Sequence, residues 1–64
     1  MTIDWFVGSN GNLFGDAGGF RYCIARRREG GYSIARNGVE MARSPSVADA
    51  KIIVRREARE VLEA

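Results

Sequence analysis

The stretch Gly31-Tyr32-Ser33-Ile34-Ala35-Arg36-Asn37-Gly38-Val39-Glu40-Met41 decides how this chain folds. Tyr32 and Ile34 alternate with Ser33 and Ala35, the period-two pattern of a strand with one buried face. Asn37-Gly38 then stands where a two-residue turn needs positive φ at both positions, the strongest short-range hairpin signal. Such a turn pairs Arg36 with Val39, Ala35 with Glu40 and Ile34 with Met41. One face of the hairpin then carries Tyr32, Ile34, Val39 and Met41. The other carries Ser33, Ala35, Glu40 and Ala42.

Upstream, Phe20, Tyr22 and Ile24 alternate with Arg21, Cys23 and Ala25, a further strand. Tyr22 and Ile24 share a face with Tyr32 and Ile34 only if the connecting loop holds an odd number of residues, because a one-residue slip exchanges the faces. A three-residue loop, Glu29-Gly30-Gly31, meets that condition, and so does a five-residue loop starting at Arg27. Downstream, Ser44-Pro45-Ser46 stops the strand, and Ser46 with Asp49 resembles a capping box. Val47, Ala50, Ile53, Val54, Ala58, Val61 and Leu62 then recur at helical spacing. Before all this, Ile3 to Val7 reads as a short β-like run. Residues 8–19 hold five glycines and read as a loop pinned by Leu13 and Phe14.

The expected fold is therefore α+β: a three- to four-stranded antiparallel β-sheet followed by one C-terminal α-helix packed on it. The chain is one domain over residues 1–64, with a short strand and Gly-rich loop at 1–19, a β-meander at 20–43 and the helix at 46–63. Trp5, Phe20, Tyr22, Ile24, Ile34, Met41, Val54 and Leu62 are the expected core.

A chain of 64 residues, 45% of them hydrophobic, supports only one small core. A lone cysteine, Cys23, excludes an intrachain disulfide, and the absence of histidine removes the commonest general base and metal ligand. Small cores of this kind rely on tight packing or on a second chain. A homodimer is one expectation, with Ile52 or an open sheet edge as its seam. The carboxylates are scattered; Glu57, Glu60 and Glu63 interleave with Arg56 and Arg59 as on a solvated helix face. The glycine-rich segment lacks the G-K-[ST] ending of a phosphate loop. No catalytic residue, metal site or cofactor is expected, and the chain reads as a non-enzymatic binding protein. No signal peptide or apolar span opens it, so a cytoplasmic location without membrane contact is expected.

Charge points to the binding surface. Ten basic residues, nine of them arginine, against eight acidic give a net +2. Arginine offers a planar fork of donors suited to carboxylates and phosphates. Two groups stand out. Ile52, Arg55, Arg56 and Arg59 fall on the helix side opposite Val47, Ala50, Val54 and Ala58. Arg26, Arg27 and Arg28 form a rim at one end of the sheet, and Arg21 shares the small-residue face with Arg27, Cys23, Ala25, Ser33, Ala35 and Ala42.

The stretch from Gly31 to Val39, followed by Ser46-Val47-Ala48-Asp49-Ala50-Lys51, resembles the three-stranded DNA-binding modules of phage integrase arms and plant AP2 factors. That resemblance implies a sheet face that enters the major groove of double-stranded DNA. In overall type the chain also resembles small phage and mobile-element anti-CRISPR proteins, an expectation that treats it as one complete unit from Met1 to its helix. That likeness implies a host protein or ribonucleoprotein complex, such as a Cas effector, as the partner in a bacterial cytoplasm. It also implies steric blockade through arginine-rich surfaces as the mode of action.

Overall fold

The computed structural model describes residues 3–63, with side chains described as far as Val61. Five strands, β1 (Trp5–Val7), β2 (Leu13–Ala17), β3 (Phe20–Arg26), β4 (Tyr32–Arg36) and β5 (Val39–Ser44), precede one helix, α1 (Val47–Glu63). The strands form a single antiparallel meander in chain order. The α+β class and the C-terminal helix agree with the sequence reading, while the strand count exceeds it.

The extra strand is β2, inside the segment read as a glycine-rich loop. Gly15 explains the misreading. It is buried mid-strand, and a Cβ there would stand 2.8 Å from Ile3 Cγ2 and 2.9 Å from Trp5 Cε3. Here glycine marks a close approach within a strand rather than a break in it. Strand parity then moves Phe14. It pairs with Cys23 and Phe6 on the face away from the helix, while Leu13 packs against the core.

The connections alternate in length. Val7 pairs with Leu13 and Arg26 with Tyr32 across five-residue loops, each closed by a hydrogen bond between its end residues: Gly8 N to Asn12 O at 2.8 Å and Arg27 N to Gly31 O at 2.9 Å. Thus the first hairpin of the meander uses the five-residue loop from Arg27, and the parity argument places Ile24 opposite Ile34 as required. The intervening turns are the two-residue pairs Gly18-Gly19 and Asn37-Gly38. Asn37 and Gly38 have φ of 49° and 85°, as a primed turn demands. Asn37 is further fixed by its neighbour β3: its N–H donates to Arg21 O (2.8 Å), and its Oδ1 accepts from Arg21 N (2.9 Å).

The second hairpin departs from the simple register. Arg36 pairs with Val39 and Ala35 with Glu40, but Ile34 lies opposite Ala42 because Met41 is the extra residue of a bulge. The bulge keeps Met41 against the core and brings Ala42, expected on the small-residue face, onto the core side as well. Val39, expected on the core face, stays 70% exposed at the tip of an edge strand.

Tyr22, Ile24 and Ile34 from the sheet meet Ala50, Val54 and Ala58 from α1, and these six are the buried core. Trp5, Phe20 and Met41 are partly buried around it, while the side chain of Leu62 lies outside the described residues. Ala50 and Ala58 flank Val54 one turn away on each side, so the helix can approach the bulky Tyr22 closely. Arg36 ties the two layers together: its Nη1 donates to Glu57 Oε1 at 2.9 Å, and its guanidinium lies 4.7 Å from the Phe20 ring centre.

Val54→Ala is expected to cost about 1–3 kcal/mol in chemical denaturation through lost burial and a cavity; unchanged stability would place the helix elsewhere. Tyr22 adds a second test. Among the described residues its buried hydroxyl has no hydrogen-bond partner, and burial pushes its pKa above 10.0, aided by the charge of Glu57 and opposed by Arg36. Above that pH the unfolded chain loses the phenol proton first, so this group withdraws stability as pH rises. Tyr22→Phe should leave stability unchanged at pH 7 or raise it by up to ~1 kcal/mol. It should also make the alkaline decline shallower, as followed by urea melts across the alkaline range. A loss of more than ~1 kcal/mol at pH 7 would mean that the hydroxyl has a partner.

Candidate functional site

The start of α1 fixes which residues face outward. Ser46 Oγ accepts from Asp49 N at 3.1 Å, and Ser46 O accepts from Ala50 N at 3.0 Å. The buried Ser44 hydroxyl donates to Ser46 O at 2.8 Å, tethering the helix start to the end of β5. With Ala50, Val54 and Ala58 turned to the sheet, the residues on the other side of the helix are turned to solvent. Ile52 is 49% exposed, and Arg55, Arg56 and Arg59 are exposed beside it. These four line one open groove of about 170 Å³. Their i, i+3, i+4, i+7 spacing makes it a continuous strip along two turns of one helix.

The ion pairs separate the arginines into two sets. Arg21 meets Asp16 at 2.8 Å, Arg27 meets Glu29 at 3.1 Å, Arg36 meets Glu57 at 2.9 Å, and Arg43 meets Glu40 at 3.3 Å. Arg26, Arg28, Arg55, Arg56 and Arg59 make no ion pair among the described residues. Arg21 and Arg27, singled out from sequence, are thus already engaged with carboxylates. Arg21 also holds Asp16 in a two-pronged hydrogen bond, at 2.8 and 3.1 Å, which keeps that carboxyl below its ordinary pKa. Arg27 also donates to Gly30 O at 3.4 Å.

The two unpaired groups are not one patch. Arg26 and Arg28 sit beside the loop of residues 27–31, whose Gly31 approaches the Ser44 carbonyl and Pro45 just before the helix begins. Arg55 is eight residues beyond Val47, a rise of roughly 12 Å along the axis.

The sheet face away from the helix carries Phe6, Phe14, Cys23, Ala25, Ser33 and Ala35, bordered by Asp16, Arg21, Glu40 and Arg43. Phe6 and Phe14 stack at 5.8 Å between ring centres, and the Arg21 guanidinium lies 5.5 Å from the Phe6 ring. Sequence reasoning missed this aromatic pair, because Leu13-Phe14-Gly15-Asp16-Ala17 shows no alternation of apolar and polar residues. The charges on this face cancel pairwise. Cys23 is half-buried there, and burial pushes its thiol above the ordinary value. Among the described residues no group of His, Cys, Asp and Glu is placed to hold a metal ion, and no helix is long and apolar enough to cross a membrane.

Comparison of the chain with protein-family models, curated proteins and solved structures finds no match.

The raised Cys23 pKa keeps the thiolate fraction low, and the thiolate is the reactive form. Alkylation of Cys23 by iodoacetamide at pH 8 should therefore be slower in the folded protein than in urea, by mass spectrometry. Faster reaction in the folded state would identify an activated thiol.

Proposed function

We propose that this chain is a non-enzymatic binding protein that docks through the outer face of α1 and acts sterically. The observation that carries this reading is the segregation of its arginines. Each arginine on the open sheet face has a carboxylate partner, whereas Arg55, Arg56 and Arg59 share one helix face beside Ile52 without one among the described residues. Unpaired guanidinium groups beside an exposed aliphatic side chain have the composition of contact hot spots. Arginine engages carboxylates and phosphates through paired, charge-assisted hydrogen bonds. Arg26 and Arg28 supply a second contact near the start of the helix. The likeness in type to anti-CRISPR proteins names one class of target, a host Cas protein or ribonucleoprotein, which such a chain would block by occupying it. Major-groove reading by the sheet has less support, since Arg21 and Arg43 are held by Asp16 and Glu40.

Retention on heparin, a general polyanion, locates the surface. Arg55→Glu with Arg59→Glu should lose at least ~2 kcal/mol of binding, a factor of about 30, with an unchanged circular dichroism spectrum. Arg21→Gln with Arg43→Gln should change it far less. Full retention by the folded helix double mutant would overturn the assignment. The Cas reading has its own test: expression of the chain in CRISPR-active cells should restore transformation by a targeted plasmid, and the helix double mutant should not.

A further inference from the structure

We infer that the Ile52 groove takes an acidic protein helix with an apolar residue at one end of its carboxylates, rather than nucleic acid. The inference rests on the reading of α1 as the docking face and names what docks there. Three features of the groove carry it.

The first is its apolar end. Ile52 is 49% exposed, and Arg55, Arg56 and Arg59 line the groove with it. An occupant that satisfies only the guanidinium groups would leave this aliphatic surface against charge. An occupant with an aliphatic knob covers it. The groove, at about 170 Å³, is comparable to a cavity of about 150 Å³ that holds a benzene ring.

The second is the charge of the whole helix. Lys51, Arg55, Arg56 and Arg59 are balanced in number by Asp49, Glu57, Glu60 and Glu63, so α1 carries no net charge over Val47–Glu63. A helix in the major groove, about 12 Å wide, meets phosphates on both flanks. Asp49 and Glu60 are both exposed and would face them. A partner helix lying along one face meets the arginine strip with Asp49 and Glu60 on only one border.

The third is spacing. Ile52 to Arg59 spans two helical turns, and residues three and four apart are neighbours on a helix surface. An acidic helix with an aliphatic residue at one end of its contact face and carboxylates three, four and seven positions along from it presents the complementary pattern. Each carboxylate can accept a paired hydrogen bond from one guanidinium.

Fluorescence anisotropy with three labelled probes tests this: a short helical peptide with one Leu and with Glu three, four and seven positions along from it, the same peptide with Ser for Leu, and a duplex DNA. The protein should hold the Leu peptide about tenfold more tightly than the Ser peptide. Ile52→Ser should erase that preference, and Arg55→Glu with Arg59→Glu should release both peptides. Equal binding of the two peptides by the unmutated protein, or tighter binding of the duplex than of the Leu peptide, overturns the inference. If heparin retention still responds to the helix arginines in that event, only the partner class falls. If it does not respond, the docking face itself is wrong.

Discussion

The close seating of α1 on the sheet is the constraint on which everything else depends. A helix can lie against Tyr22 only if its inner face is shallow, and Ala50, Val54 and Ala58 make it so. A core this small leaves little room for misalignment, because interiors are packed to crystal-like density and a single methylene is felt. The phase of the helix is therefore held at three points: the Ser44–Ser46 cap, the Val54 contact and the Arg36–Glu57 bond. Once that phase is set, Ile52, Arg55, Arg56 and Arg59 have nowhere to face but outward. The proposed docking strip is a geometric consequence of packing on the opposite side.

How much of this was legible from residues alone follows the type of signal. The Asn37-Gly38 turn and the helix from Val47 were legible because each rests on local chemistry, positive φ in one case and periodicity in the other. β2 was hidden because glycine is read as a breaker, whereas Gly15 is there to admit Ile3 and Trp5. That is a tertiary reason, and no local window contains it. The bulge at Met41 was hidden for a related reason: it lets an edge strand present both Met41 and Ala42 to the core, and only the partner strand shows the need. The outward arginines were legible from helical phase. Which arginines are already paired was not, since Arg36 and Glu57 stand 21 residues apart in sequence.

Arrangement of charge separates what the fold needs from what it tolerates. Asp16, Glu29, Glu40 and Glu57 each sit against an arginine, on the sheet, in a loop or between layers. Exposed pairs of this kind contribute little to stability, about 0–1 kcal/mol each. Their larger effect is to remove free donors from those surfaces. On α1 the opposite holds. Arg55 and Arg59 are like-charged neighbours four apart, and Arg56 and Arg59 three apart, which costs an isolated helix about 0.2–0.5 kcal/mol per pair. Glu60 and Glu63, four positions after Arg56 and Arg59, are opposite-charge neighbours that offset that cost. Three arginines on one face therefore need no binding partner to be tolerated by the helix, and the case for the proposed docking rests on their placement beside Ile52. Ile52, 49% exposed at the start of the strip, is the part that ion pairing does not account for, because an occupant must bring something apolar to cover it.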